Sequence, residues 1–184
     1  MDGTSLWGCI DKYGNTILPY MWKNCGPAFS EGLLNIQDKT NKWGFVNING
    51  KITIPCQWEN ARAFSEGLAN VTQSPAIFGK WGYINKSGKA IIPTRYFLAF
   101  PFNNGVACCQ INTHDWEVIN ERGQVLFHYK SLSPLYFSEN LALIINYSIK
   151  SRVRFVNTSG LEVIPPVWKN AHSFSSGLAA VKND

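Results

Sequence analysis

The sequence predicts an all-β fold of five tandem three-stranded antiparallel meanders, arranged as a propeller-like closed ring in preference to an open β-solenoid. Three observations carry this expectation. One motif is written five times along the chain, the signature of a repeat architecture. Its turn glycines, Gly14, Gly50, Gly88, Gly123 and Gly160, lie 36, 38, 35 and 37 residues apart. Of the 184 residues, 45% are apolar, 14% aromatic and only 16% charged, enough apolar mass for a core and the opposite of a disordered composition. Collagen-like and coiled-coil chains are excluded on the same grounds.

The first strand of each copy is typified by Trp43-Gly44-Phe45-Val46, whose aromatic and β-branched residues suit a pleated surface. A tight turn follows, opened by Asp11, Asn47, Asn85, Asn120 or Asn157 and closed by the recurring glycine. The opening side chain bonds the backbone ahead of it, and the glycine supplies positive φ. The second strand, such as Lys51 to Ile54, is expected to stop at Pro19, Pro55, Pro93 or Pro165, because proline cannot donate to a ladder. His128 holds that place in copy four.

About nine residues of irregular linker come next, carrying Trp22, Trp58, Tyr96 or Trp168 three places after the proline, with Ser131 at that place in copy four. The linker closes on Phe29, Phe64, Phe102, Phe137 or Phe174, in Phe-Ser-Glu-Gly or a variant of it. A third strand follows: Leu33 to Ile36, Leu68 to Val71, Val106 to Cys109, Leu141 to Ile144 and Leu178 to Val181. A short loop returns the chain to the next first strand, so each meander is ordered third, first, second. The copies run over 6–36, 42–71, 80–109, 115–144 and 153–181, forming one repeat domain over 6–181.

These spaced motifs closely resemble the bacterial WG-repeat family, named for its Trp-Gly pair. The resemblance spans Leu6 to Val181 and implies an all-β repeat without implying catalysis. Copy four departs from it at Trp116-Glu117 and copy five at Val153-Arg154.

A single meander cannot bury both faces, so the copies must pack on one another. The first Trp-Gly strand lacks a third-strand partner, and Leu178 to Val181 lacks a Trp-Gly partner. Joining them would close a ring and remove two free edges.

Function is less legible. The Trp-Gly pairs read as packing devices, which leaves Trp22, Trp58, Tyr96 and Trp168 as the candidate binding residues. Rings on surface linkers suit sugars or peptides. His114, His128 and His172 occupy unrelated places, and no HExxH, GxSxG or phosphate-cradling loop is present. No catalytic residue, metal site or cofactor is therefore expected.

The net charge of +5 is spread thinly over turns, loops and linkers, unlike a nucleic-acid stripe. No apolar run approaches a membrane span. Five cysteines without CxxC spacing read as free thiols, and with no export signal at the start they suggest a cytoplasmic protein. The expected function is a non-catalytic scaffold for protein or peptide partners. The alternative is a carbohydrate or cell-wall binding module using the linker aromatics.

Overall fold

The structure, a computed structural model, describes residues 5–75, 79–146 and 152–183. The described residues form strands and turns without helix. The chain divides into two compact units, Met1–Pro101 and Phe102–Asp184.

In the first unit, β1 (Trp7–Ile10) pairs with β2 (Thr16–Trp22) as a two-stranded sheet. A four-stranded sheet follows in the order β3 (Asn24–Cys25), β4 (Leu33–Gln37), β5 (Trp43–Asn47), β6 (Ile52–Trp58). The next repeats it in reverse listing, β10 (Ala90–Tyr96), β9 (Trp81–Asn85), β8 (Leu68–Thr72), β7 (Asn60–Ala61). β11 (Leu98–Ala99) closes the unit.

In the second unit, β12 (Val106–Gln110), β13 (Asp115–Asn120) and β14 (Val125–Lys130) are neighbours in that order. Then come β15 (Phe137–Ser138), β16 (Leu141–Asn146), β17 (Arg152–Asn157) and β18 (Glu162–Trp168) in one sheet. Last, β19 (Asn170–Ala171) pairs with β20 (Val181–Lys182). The strand expected at Leu178 to Val181 is thus shorter and shifted, and it pairs with its own linker.

The expected order of third, first, second strand holds, with one addition. The linker is not wholly irregular: residues such as Asn24–Cys25 and Asn60–Ala61 form a short fourth strand on the third strand's outer side.

All five turns form as expected. Asn47 Oδ1 accepts from the Asn49 and Lys51 amides, and Asp11, Asn85, Asn120 and Asn157 do the same in their copies.

The prolines do not end the second strand. Pro19, Pro55, Pro93 and Pro165 lie inside β2, β6, β10 and β18. Trp43 faces Trp58 and Phe45 faces Ile54, so Pro55-Cys56-Gln57 bulges opposite the single Gly44. A bulge leaves a residue outside the ladder, and there proline's missing N–H costs nothing. A Cβ on Gly44 would lie 2.5 Å from the Ile54 carbonyl oxygen and 2.7 Å from the Cys56 nitrogen. Gly82 meets Ile92 and Thr94 at 2.4 and 2.7 Å in the same way. The Trp-Gly pair and the proline are therefore one device. Copy five keeps the bulge with Arg154 at the glycine's place.

Successive copies are fastened by polar bonds that the repeat pattern also encodes. Asn35 Nδ2 donates to the Ala61 carbonyl and Asn70 Nδ2 to that of Ala99, both buried. The Ser30 hydroxyl donates to the Phe64 carbonyl, and the Glu31 carboxylate accepts from the Gly67 amide. In the second unit Ser138 reaches Phe174 and Glu139 reaches Gly177 identically. Glu31 and Glu139 take positive φ of 53° and 52° to aim these carboxylates. Around the bonds, Leu33, Phe45, Ile54, Trp58, Phe64, Val71 and Ile84 form one core that runs across three copies.

Replacing Gly44 by Ala is expected to cost about 3 kcal/mol, because the methyl meets backbone rather than a movable side chain. Gly67→Ala, at positive φ but in open space, should cost only about 1 kcal/mol. Urea unfolding of the two variants checks the ranking.

Candidate functional site

The structure places the four candidate aromatics in or against the core. Trp22, Trp58 and Tyr96 are 6%, 6% and 0% exposed, and Trp168 is half-buried. Each lies across from the residue at the Trp place of its copy's first strand, Trp22 on Trp7, Trp58 on Trp43, Tyr96 on Trp81 and Trp168 on Val153. The bulge brings them there. The expectation of exposed platforms is corrected for Trp22, Trp58 and Tyr96: these rings plug the inner face. The indole N–H groups of Trp22 and Trp58 are buried without a hydrogen-bond partner, so they offer no polar edge to a ligand.

Copy four is also corrected. Ser131 is not a missing aromatic, because Tyr129 fills the role two residues earlier. Glu117 and His128 stand where copies one to three have glycine and proline, and they pair in simple register with no bulge between Trp116 and Val118. Trp116 consequently faces Tyr129, and the rings stack at 6.0 Å and 19°. The Trp116 indole donates to the Ser131 carbonyl at 3.0 Å.

The linker after Tyr129 takes a course of its own. Ser131 to Tyr136, with Leu143, Ile144 and Ile145 and the Ala171 to Ser173 linker, line a cleft of about 360 Å³. Leu132 and Tyr136 are strongly exposed beside it, at 80% and 68%. Sequence reasoning missed this cleft. The signal for it was present in the simultaneous loss of the glycine and the proline from copy four.

His114, His128 and His172 are exposed, and His128 reaches only Glu117, at 3.9 Å. Among the described residues no three His, Cys, Asp or Glu converge on a metal position. None of the five cysteines is in a disulfide; Cys108 and Cys109 are buried and Cys9, Cys25 and Cys56 partly so. Burial pushes the Cys56 and Cys108 thiols up to about 11, which keeps them un-ionised and poorly nucleophilic at neutral pH.

Two measurements follow from this burial. At pH 8, iodoacetamide should label Cys56 and Cys108 about 100-fold more slowly in the native protein than in denaturant, following the thiolate fraction. The unfolded thiols ionise first, so the stabilisation these thiols give is whole below pH 9 and is lost as pH rises towards 11. Trp58→Ala should cost about 3–5 kcal/mol, as for a core ring, when followed by thermal or urea unfolding.

No curated protein matches the chain. Among solved structures, the computationally designed Ika8 protein is similar at 13% identity and a TM-score of 0.50 over 92% of this chain. This chain spans 59% of that protein's length, and the likeness speaks to the repeated-sheet fold alone. The WD40 β-propeller domain of Doa1 is similar at 11% identity and a TM-score of 0.40, over 91% of this chain and 63% of that one. The profile described as WG containing repeat matches residues 7–43, 43–74, 81–112 and 154–184. Copy four falls in the interval between the last two matches. With these four matches covering most of the chain, and with the proline-containing bulge recurring where they fall, opposite a Trp-Gly pair in the first three, the protein belongs to the WG containing repeat family.

Proposed function

We propose that this chain is a non-catalytic β-repeat scaffold that binds protein or peptide partners. The observation carrying this reading lies on the second strand, the terminal strand of each of the sheets that contain one of β2, β6, β10, β14 and β18. One place before Leu18, Ile54, Ile92, Phe127 and Ile164, which are buried or partly buried, these strands carry Ile17, Thr53, Ile91, Leu126 and Val163. The four apolar members of that set are exposed. Lone exposed apolar side chains are ordinary. Their recurrence at one repeat position, on open sheet edges, suits contact with another polypeptide. The carbohydrate alternative is the weaker reading, since the rings it needs are turned inward.

A propeller-like closed ring is part of the proposal. It is supported by β1 and β20, each the open side of a two-stranded sheet, and by the exposed Trp7, Ile10, Leu178 and Val181 beside them. Closure would pair those strands and cover these residues.

The binding reading is tested by immobilising the chain and a variant with Ile17, Ile91, Leu126 and Val163 all changed to Ser. A protein captured by the first and lost by the second, at unchanged melting temperature, supports it. Saturable quenching of tryptophan fluorescence by glycans would contradict it. For closure, deleting 178–182 should speed exchange of the Trp7–Ile10 amides about tenfold, and unchanged exchange would contradict a ring.

A further inference from the structure

The cleft in copy four borders a sheet edge that copies one, two and five cover. In copy one the linker amides of Lys23 and Gly26 donate to the carbonyls of Gln37 and Asn35 on the third strand. Glu59 and Arg62 donate to Thr72 and Asn70, and Lys169 and His172 to Lys182 and Ala180, in the same pattern. Counted back from the linker-closing Phe137, the corresponding donors in copy four are Leu132 and Leu135, and the acceptors are Ile145 and Leu143.

Neither bond forms among the described residues. The Leu135 amide donates instead to the Tyr129 hydroxyl at 3.0 Å. Pro134 stands where Ala61 and Ala171 occur and has no N–H to give. Only Phe137 and Ser138 pair with the start of β16, at Ala142 and Leu141.

The cause traces back to the lost bulge. Phe64, Phe102 and Phe174 lie six positions after Trp58, Tyr96 and Trp168, and Phe29 seven after Trp22, but Phe137 lies eight after Tyr129. The two residues no longer used in a bulge enter the linker, which bows off β16. Leu143 and Ile145 are left with outward-facing backbone groups at the cleft, and Ile145 is itself 43% exposed.

We propose that this edge of β16, at Leu143 to Ile145, receives an extended peptide of a partner as an added strand. Strand addition uses backbone bonds for affinity and side-chain pockets for choice. Here the cleft of about 360 Å³ takes an apolar side chain against Leu132, Leu135 and Tyr136. The charged or titratable groups at its rim besides the tyrosines are Lys130 and His172, with no carboxylate in the lining. Asp115, directly across the β13–β14 ladder from Lys130, approaches it to 3.9 Å and leaves the Lys130 side chain 86% exposed to a further carboxylate. The fitting partner is therefore an apolar strand with acidic flanks. This inference rests on the scaffold reading above and specifies one of its sites.

The test titrates the full chain with the blocked peptide acetyl-Asp-Val-Leu-Val-Asp-amide, while hydrogen exchange is read residue by residue. The peptide is expected to protect the Leu143 and Ile145 amides about tenfold. Methylating its alternate amide nitrogens, or replacing its Asp residues by Lys, should weaken binding about tenfold. Deleting Ser133 and Pro134 shortens the linker to the length in its sister copies and should abolish binding. Ile145→Asp, on an exposed side chain, should weaken binding about tenfold through charge repulsion, with the melting temperature unchanged.

Equal binding of the N-methylated peptide would overturn the proposal, as would the absence of binding. Protection of Leu143 and Ile145 in the free chain through self-association would overturn it too. Binding that protects other strands alone would remove this site and leave the scaffold reading standing. Loss of the scaffold reading itself would show separately, in the four-serine capture experiment.

Discussion

Where Gly44 faces Ile54, Pro55 and Cys56, backbone lies on backbone with no room for a Cβ. In the copies that carry the Trp-Gly pair, the rest of the repeat hangs on that approach. It lets three residues stand opposite one, and so brings Trp58 round to cover Trp43. It also gives proline a place in a strand that the ladder would otherwise deny it. At Gly8, Gly44 and Gly82 glycine serves by the space it leaves, and this sets it apart from the turn glycines, which serve by their positive φ.

The second constraint works between copies. A short sheet cannot be stable alone, and the apolar core running across copies is non-directional. Register from copy to copy comes from directed bonds: Asn35 and Asn70 to the carbonyls of the next linker, and the Ser-Glu-Gly corner to the same corner one copy on. The Glu31 carboxylate illustrates the balance. Burial opposes its ionisation, yet hydrogen bonds from Lys86 and the Gly67 amide, with the Lys86 charge, hold it below its ordinary value. A repeat array built this way is a chain of near-neighbour interfaces, so a defect in one copy stays local. Copy four is such a defect.

Much of this was legible in the residues. The five turns were readable because an Asn or Asp and a Gly four or fewer residues apart settle a tight turn without help from elsewhere in the chain. The order of third, first and second strands followed from short loops. The course of the second strand did not, because whether proline ends a strand or sits in a bulge depends on what faces it across the sheet. The same blindness put Trp22, Trp58 and Tyr96 outside, since a linker position says nothing of where a bulge will swing the ring. Tyr129 was passed over because its role is fixed by the register with Trp116, two places away from where the repeat pattern pointed.

Copy four joins the structural argument to the functional one, since losing glycine and proline together shortens the path to the stacked aromatic and lengthens the linker beyond it. Cross-strand nuclear Overhauser contacts in the native chain test this most directly. Contacts are expected between Trp116 and Tyr129 and between Glu117 and His128, alongside contacts from Trp43 to Trp58 and Phe45 to Ile54. Contacts from Trp116 to Ser131, with a bulge opposite Glu117, would contradict it.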